Sequence, residues 1–392
     1  MRRVLLMMLA ACAPITPSAT ELRQASAAVG TIPPGSAATE LATVEPAAAE
    51  PEPAPVPAPT RADPFELTFV GDVHFGRYRA DGFDPIADEG AEVFSEVTTL
   101  LRSHLAIGNL ETPLVRELPE QSPIVSVARF GASAEMAESL VPAGFHAMSL
   151  ANNHAYDLRR AGLQETPEIL AELGIVALGP ARDEPPTVRV QTIEREGWRV
   201  GVLAVATRLN GRKPSGLPPT PLVPTLELAK RLTPLVKEAR ASHDLIVVLV
   251  HWGEEYRDTP TSAQRSVAHA LVRAGVDIVV GHHPHVLQGI ERYRDGIIAY
   301  SLGNFLFDNP AKVQRQTGVL RVRMRGDGRG CLDAVELHPV WLDDASGVHP
   351  VPATGEQGAE IEARVRRLSE RMGTRWVEQG DAIAIDAPGC SS

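Results

Sequence analysis

The chain has 392 residues, of which 44% are hydrophobic and 22% charged, and its formal net charge is -11 at pH 7. This size predicts one large domain with a substantial core, and the acidic balance excludes nucleic acid as a main partner because phosphate binding needs clustered Lys and Arg. The three cysteines, Cys12, Cys331 and Cys390, are too few and too far apart for a disulfide framework or a cysteine-based zinc site. Any bound metal would be held by nitrogen and oxygen ligands.

The first twelve residues have the layout of an export signal. Two arginines precede a short apolar run that ends in the letters LAAC at Cys12, which is typical of a bacterial lipobox. The run is far shorter than the ~20 apolar residues of a membrane span. We expect residues 1–12 to be a lipoprotein signal with Cys12 as the lipidation site, so that the protein is exported and lipid-anchored to the bacterial cell envelope. An ordinary signal peptide or a disordered start is the alternative.

Residues 13–63 are rich in Pro and Ala and contain almost no bulky apolar side chains. This composition cannot form a packed core and predicts a disordered, semi-extended tether. Such a spacer would hold an anchored domain clear of the membrane, and a tail without function is the alternative.

From Phe65 onward, short β-branched runs alternate with amphipathic stretches, which indicates an α/β domain. Helices are predicted over Val93–Leu101, Val267–Ala274 and Glu356–Met372, and a surface loop over Gly211–Pro224. The predicted strands are Glu66–Val70, Ala106–Gly108, His146–Leu150, Ile175–Leu178, Val188–Thr192, Arg199–Val205, Leu245–Val250, Asp277–Val280, Ile297–Ser301 and Val319–Met324.

Five polar clusters each follow one of the predicted strands. Ligands collect at the carboxyl ends of strands in open α/β folds, so these five loops are expected to converge at one edge. The clusters are GDVHFGR from Gly71, GNLE from Gly108, SLANNHAYD from Ser149, HWGEEY from His251 and GHHPHV from Gly281.

Histidines dominate these loops. Six of the twelve histidines lie in them, and His282, His283 and His285 stand within four positions. Directly after a buried strand, metal ligation explains this trio better than chance placement in a solvated loop. Nitrogen and oxygen ligands of this kind suit Mn, Fe or Zn, and one or two divalent ions are expected.

Carboxylate and amide side chains complete the predicted site. Asp72 and His74 lie two positions apart in an extended segment, so they share a face and could bind one metal together. Capping of the following helices is the alternative for Asp72 and Asn153.

Taken in order, GDVHFGR, GNLET, SLANNHAYD, HWGEEY, GHHPHV and YSLGNFLFD resemble the signature of the CapA family of poly-γ-glutamate capsule proteins, within the metallophosphatase-like (calcineurin-like phosphoesterase) superfamily. The similarity spans about Phe65 to Asp308. It implies a four-layer α/β sandwich of two mixed β-sheets flanked by helices over residues 64–345, with a C-terminal helix and tail over residues 346–392. It also implies a role in the synthesis, export or anchoring of an anionic γ-linked glutamate polymer.

The resemblance further implies roles for single residues. Glu111 occupies the bridging carboxylate position, where the common phosphoesterase has Asp, and the lengthened GHHPH segment leaves the register of His282 and His283 open. The implied ligands are Asp72, His74 and His285 for the first metal, and Asn153, His251 and either His283 or His282 for the second.

Two further residues are implied to act on the substrate. His154 would be the general acid that protonates the leaving group. Arg77 could orient an anionic group through its planar fork, and a structural salt bridge is the equal alternative.

The functional expectation has two forms. The first is a metal-dependent hydrolase of a phosphoester or of the γ-glutamyl amide of a polymer. The second is a non-catalytic capsule-assembly or polymer-binding component working beside membrane capsule-synthesis subunits; a plain binding module is a weaker third. The acidic net charge disfavours tight binding of a polyanion and favours the first form. An exported protein could also pair Cys331 with Cys390, a small buried hydrophobe being the alternative for Cys331.

Overall fold

The computed structural model describes residues 61–86, 92–124, 128–179, 188–210, 221–308, 311–326, 329–344 and 347–385. All of them belong to one compact unit. The predicted export signal with Cys12, nearly all of the predicted tether and most of the predicted loop Gly211–Pro224 lie outside the described residues.

The described residues form the following elements. The strands are β1 (Phe65–Val73), β2 (Gly76–Arg79), β3 (Gly82–Pro85), β4 (Leu105–Leu110), β5 (Leu114–Val115), β6 (Ala132–Ser133), β7 (Ala147–Ser149), β8 (Val176–Leu178), β9 (Gln191–Arg195), β10 (Trp198–Ala206), β11 (Leu245–His251), β12 (Ile278–His282), β13 (Ile290–Tyr293), β14 (Gly296–Ala299), β15 (Asn304–Leu306), β16 (Gln316–Arg325), β17 (Cys331–Asp343), β18 (His349–Pro352), β19 (Trp376–Gln379) and β20 (Ala382–Ile385). The helices are α1 (Thr98–Leu101), α2 (Ala134–Ala137), α3 (Leu140–Ala143), α4 (Arg159–Glu172), α5 (Thr225–Ala239), α6 (Ser262–Ala274) and α7 (Gly355–Glu370), with 3-10 turns at Ser95–Val97 and Lys312–Gln314.

Two large mixed sheets organise the described part of the chain. The first has the order β19-β20-β17-β16-β1-β4-β7-β8, with β15 beside β1 and β18 beside β17. The second has the order β13-β14-β12-β11-β10-β9. The central strands β1, β4, β7 and β8 run parallel in the first sheet, and β10, β11, β12 and β14 do so in the second. Their carboxyl ends therefore lie at one edge of each sheet.

The main core lies between the two sheets, and β11 shows how the sequence builds it. Leu245, Val247 and Leu249 face the core shared with β1, whereas Ile246 and Val248 face the core beneath α5 and α6. Both faces of the strand are buried, which is why its sequence is a continuous apolar run without polar alternation.

A second outer layer of helices covers the first sheet. Ile169 and Leu170 of α4 pack in a core with Val70 and Val73 of β1. The order of layers is thus helix, sheet, sheet, helix, and the predicted α/β class with two mixed sheets flanked by helices is confirmed.

Most predicted strands are present, and one is displaced. The strand predicted over Val188–Thr192 lies at Gln191–Arg195, where it pairs antiparallel with β10. The helix predicted over Glu356–Met372 is α7. The C-terminal segment also adds β18, β19 and β20 to the first sheet, and Cys331 at the start of β17 is disulfide-bonded. Among the described residues, none of the helices has the length and apolar composition needed to cross a membrane.

Candidate metal centre

The five predicted polar clusters meet at the carboxyl edge where the two sheets face each other. Asp72 near the end of β1 is in register with Asn109 of β4 and with Asn304 of β15. In the second sheet, His251 of β11 is in register with His282 of β12. Parallel strands bring their carboxyl ends together, so the loops converge as expected.

Gly71 allows the backbone before Asp72 to approach β15 closely. The Asp72 N–H donates to the Gly303 carbonyl oxygen at 2.9 Å. A Cβ on Gly71 would lie 2.0 Å from that oxygen, which is far inside van der Waals contact. The glycine in the Gly-Asp pair is therefore required for the strand that positions the carboxylate.

Glu111 is the most unusual group in the cluster. Its side chain is fully buried, and neither carboxylate oxygen accepts a hydrogen bond from the described residues. His251 Nε2 lies 3.3 Å from Oε1. Burial first, and then the neighbouring Asp72 carboxylate, raise the pKa of Glu111 well above its usual range. A buried carboxylate in this state is costly unless a cation compensates it.

Glu111 also belongs to both groups of candidate ligands found in the described residues. One group contains Asp72, Glu111 and His251, and the other contains Glu111, His283 and His285. Within each group the ligand atoms lie within 4.8 Å of one another. This shared position is the one that a bridging carboxylate requires.

Asp72 and His285 contact each other beside Glu111. His285 Nδ1 is 3.3 Å from Asp72 Oδ2, and it hydrogen-bonds the Asn304 side-chain oxygen at 2.9 Å. Burial opposes a charge on His285, but Glu111 and the hydrogen bond with Asp72 outweigh it and raise its pKa to about 9. For Asp72, burial acts to raise the pKa, but the bond with His285 prevails and lowers it. The Asn304 bond occupies Nδ1 and fixes the orientation of the imidazole.

The GHHPH segment separates the two histidines whose register was open. His283 lies in the ligand group with Glu111, whereas His282 Nε2 faces the Val70 carbonyl oxygen of β1 at 3.2 Å. His283 and His285 have backbone φ values of +97° and +56°, which residues other than glycine adopt only at some cost in energy. The segment holds this backbone at the position where both rings reach the cluster.

His251 and Asn153 form a second contact beside Glu111. The two ligand groups join His251 with Asp72, and His283 with His285, which differs from the division between two metals that the resemblance implied. His251 Nε2 is 2.7 Å from the Asn153 side-chain oxygen, and Nδ1 is 3.5 Å from Asn109 Nδ2. Burial, reinforced by His283, lowers the pKa of His251 well below its usual range, so the imidazole is neutral, as a metal ligand must be.

His74 lies at the margin of the cluster and outside both ligand groups. Its Nε2 faces the Gly76 carbonyl oxygen at 2.8 Å, which places the ring proton on Nε2 and leaves the Nδ1 lone pair free. Nδ1 is buried without a hydrogen bond and lies 3.8 Å from Asp308. His74 stays a predicted ligand of the first metal.

His154 is paired with a buried carboxylate. Its Nδ1 lies 2.7 Å from Asp157 Oδ2, which also accepts the Phe130 backbone N–H at 2.8 Å. The Phe130 ring stacks on His154 on one side and packs against His74 on the other, with centroid distances of 3.7 Å each. The pairing orients the ring and directs Nε2 away from Asp157, the arrangement expected of a general acid.

Arg77 forms the salt bridge that was its alternative role. Its guanidinium pairs with Asp308, which Arg79 also contacts at 3.3 Å. Burial and the neighbouring Arg79 lower the pKa of Arg77. The predicted orienting role for Arg77 would require this bridge to open.

Several buried polar atoms at the cluster share one property, which is that they lack a hydrogen-bond partner among the described residues. Buried polar groups in proteins are nearly always paired, so such a concentration is unusual and fits a cation-binding site. These atoms are Glu111 Oε1 and Oε2, Asn109 Oδ1, His283 Nδ1 and His74 Nδ1.

Sequence reasoning missed five residues that contact the cluster. Asn109 and Asn304 fall inside quoted motifs, and their place beside a buried strand end was an available signal. Asp157 stands three residues after His154, the spacing of one turn. Arg208 and Asn210 follow β10, whose carboxyl end carries no recognisable motif.

The two-sheet sandwich and this buried cluster of carboxylates, amides and imidazoles define a class of α/β proteins with a candidate metal centre at the strand ends. The chain belongs to the family described as "Bacterial capsule synthesis protein PGA_cap", whose model matches residues 66–309. The family predicted from the ordered motifs is thus confirmed.

Relatives support the same assignment over most of the chain. The "Capsule biosynthesis protein CapA" of Bacillus anthracis is 30% identical over 330 residues, covering 81% of this chain and 77% of that protein. The "PGA biosynthesis protein CapA" of Bacillus subtilis (strain 168) is 30% identical over 330 residues, covering 83% of each. Among solved structures, a Mycoplasma pneumoniae phosphatase is 14% identical with a TM-score of 0.41 over 73% of this chain and 91% of that one. That last similarity is too distant to carry an argument.

Proposed function

We propose that the protein acts on an anionic capsule polymer at the bacterial cell envelope, through a metal-dependent hydrolase site. The observation that carries the proposal is Glu111, a fully buried carboxylate whose two oxygens accept no hydrogen bond from the described residues. A buried carboxylate without hydrogen-bond donors is stabilised by a bound cation.

The donor set fits one or two divalent ions, with Mn, Fe or Zn as the candidates. Bound ions of this kind lower the pKa of a water molecule and stabilise charge on the attacking and leaving oxygens. The residues proposed to hold them are Asp72, His74, Glu111 and His285 for the first ion, and Glu111, Asn153, His251 and His283 for the second.

The proton needed by the leaving group is assigned to His154. Asp157 fixes its ring and Phe130 stacks on it. Nε2 would deliver the proton, and for this it must first give up its contact with the Asn210 amide nitrogen, which lies 3.1 Å away and can only donate. His282 stays the alternative to His283 for the second ion, because its Nε2 donates to the Val70 carbonyl oxygen and leaves Nδ1 as the atom that could bind a metal.

The proposed substrate class follows from the relatives, whose names refer to capsule and PGA biosynthesis. A γ-glutamyl amide within the polymer, or a small phosphoester, would be cleaved. Membrane capsule-synthesis subunits are the proposed partners. Lipidation at Cys12 would attach the protein to the envelope, and residues 13–63 would form the tether.

The test combines metal analysis with turnover. Purified full-length protein is loaded with Mn²⁺ or Zn²⁺ and assayed on bis(p-nitrophenyl) phosphate and on poly-γ-glutamate. We expect His154→Ala to retain metal but to lose turnover by about 100-fold or more, the usual range for a general acid. His349→Ala, on β18, is the matched control and should be unaffected. Full turnover in His154→Ala with metal retained would refute the assignment.

A second candidate is a non-catalytic assembly component, and the word biosynthesis in the relatives' names favours it. It predicts that metal-loaded protein binds poly-γ-glutamate without shortening it. Chain length measured by gel filtration after incubation separates the two candidates.

The anchor has its own test. Cys12→Ser should move the protein from the membrane fraction to the soluble fraction of the cells that produce it, because the lipid attachment is lost. Retention of the variant in the membrane fraction would contradict the lipoprotein assignment.

A further inference from the structure

The carboxyl end of β10 is a sixth strand end at the cluster. Ala206 of β10 is in register with His251 of β11, and the Thr207 N–H donates to the His251 carbonyl oxygen at 2.9 Å. The residues that follow therefore leave the sheet beside the candidate metal centre. Two of them, Arg208 and Asn210, reach its side chains.

Asn210 fixes this segment against the cluster. Its side-chain oxygen accepts the Asn153 amide N–H at 2.9 Å, and its own backbone N–H donates to the Asn153 carbonyl oxygen at 3.3 Å. The Asn210 amide nitrogen lies 3.1 Å from His154 Nε2. These contacts bind the segment to the proposed general acid and to one proposed ligand, so Arg208 is held near the centre.

Arg208 faces His283. One guanidinium nitrogen, Nη1, lies 3.3 Å from His283 Nε2, and the positive charge is one of the causes, after burial and His285, that lower the pKa of His283 to about 3. In the part of the chain that the structure describes, Arg208 forms no ion pair with a carboxylate. Arg77, by contrast, is neutralised by Asp308.

While Arg208 donates to His283 Nε2, this histidine cannot bind a metal. A guanidinium only donates, so the bond uses the Nε2 lone pair and leaves the proton of the neutral ring on Nδ1. A ring in that state has no lone pair for a metal. If His283 is a ligand, Arg208 must give up this acceptor, and its charge is then available at the mouth of the cluster.

We propose that Arg208, rather than Arg77, is the residue that recognises the anionic group of the substrate. The ligand is an oxyanion, a carboxylate or a phosphate, bound beside His283 by the planar fork of the guanidinium. This inference deepens the proposed function and rests on it, since it assigns the recognition of charge at the same site.

The test measures oxyanion binding directly. Full-length protein loaded with Mn²⁺ is titrated calorimetrically with inorganic phosphate in one arm and with tri-γ-glutamate in the other. Arg208→Gln should weaken binding of the preferred anion by roughly 10- to 100-fold, the range of a charge-assisted bond. Arg208→Lys should recover part of the loss, because it restores the charge without the fork. The compound that binds more tightly, inorganic phosphate or tri-γ-glutamate, shows whether the oxyanion is a phosphate or a carboxylate.

Arg199→Gln is the matched control, because Arg199 lies at the amino-terminal end of β10, the end opposite Arg208, and its side chain is 50% exposed. It should bind the anion like the unmodified protein. Affinity of metal-free protein for Mn²⁺ is the second readout, and Arg208→Gln should bind Mn²⁺ no more weakly, since His283 loses a competitor.

Failure of the inference differs from failure of the proposed function. Equal anion affinity in Arg208→Gln and the unmodified protein, or no anion binding by either, would overturn the role of Arg208 even where turnover is observed. Absence of turnover with Arg208-dependent anion binding would instead support this inference and refute only the hydrolase.

Discussion

Two buried glutamates in this protein have opposite surroundings. Glu291 on β13 is 3% exposed, and its carboxylate accepts the Tyr300 hydroxyl at 2.7 Å, with His269 Nε2 at 3.0 Å and Arg265 at 3.4 Å. Glu111 is fully buried, and its oxygens accept no hydrogen bond from the described residues. Side chains of the protein supply the counter-charge of Glu291, and we propose that a bound cation completes that of Glu111.

We propose that Glu291 stabilises the fold and that Glu111 binds a metal. Burial alone does not separate the two carboxylates, since both side chains are inaccessible to water. The difference lies in the neighbours: donors and a guanidinium surround Glu291, whereas a second carboxylate, Asp72, stands near Glu111 and raises its pKa further. A fold maintains such an arrangement at a cost in stability, which a bound cation would reverse.

The largest effect on stability is expected at Gly71, where β1 approaches the backbone of Gly303 just before β15. Gly71→Ala would place a methyl group 2.0 Å from the Gly303 carbonyl oxygen, and neither strand can yield easily. We expect a loss of about 3 kcal/mol in the free energy of unfolding, the upper part of the range for overpacking. Urea denaturation measures it, and an unchanged midpoint would show that β1 and β15 tolerate separation.

The next largest loss of stability is expected when the charge of Glu291 is removed. Glu291→Gln removes the charge that Arg265 and His269 face, and it should cost about 2 kcal/mol, less than a fully buried pair because Arg265 is 40% exposed. Metal binding should be unaffected. A variant that keeps full stability, or one that loses metal, would erase the distinction between the two glutamates.

A smaller effect is expected at a residue that orients a proposed ligand. Asn304→Ala removes the side-chain oxygen that hydrogen-bonds His285 Nδ1 at 2.9 Å. Losing such an outer contact should weaken Mn²⁺ binding by about tenfold. Equilibrium dialysis against Mn²⁺ gives the affinity, and an unchanged value would mean that Asp72 alone orients His285.

The smallest change in stability is expected at Glu111, and it should be a gain instead of a loss. Glu111→Gln in metal-free protein removes a carboxylate that burial and Asp72 disfavour, so the free energy of unfolding should stay equal or rise by about 1 kcal/mol. Chemical denaturation in the presence of a chelator measures this difference. A clear loss of stability would show that the Glu111 carboxylate is satisfied by the protein itself.

Much of this architecture could be predicted from the sequence, and particular residues show why the rest could not. The apolar run of β11 and the loops that follow strands predict the convergence of Asp72, Glu111 and His251, because parallel strand ends meet at one edge. Strands β18, β19 and β20 escaped prediction because each has only four residues, too few for a clear period. The longer β17 contains Pro339, which argues against a strand. The orientation of a side chain lies beyond any sequence pattern.

The histidines of the GHHPH segment illustrate this limit. Spacing alone left His282 and His283 equivalent. In the structure His283, whose backbone is left-handed, lies in the ligand group with Glu111. Arg208 is a second case. It follows a well-predicted strand, but only the register of β10 with β11 places it beside His283.

Calorimetric titration of metal-free, full-length protein with Mn²⁺ and Zn²⁺ measures whether Glu111 is needed for metal binding, with Glu111→Gln as the variant and Glu291→Gln as its matched control. We expect the unmodified protein and Glu291→Gln to bind one or two ions per chain, and Glu111→Gln to lose this binding. No binding by the unmodified protein, or binding that survives in Glu111→Gln, would contradict it.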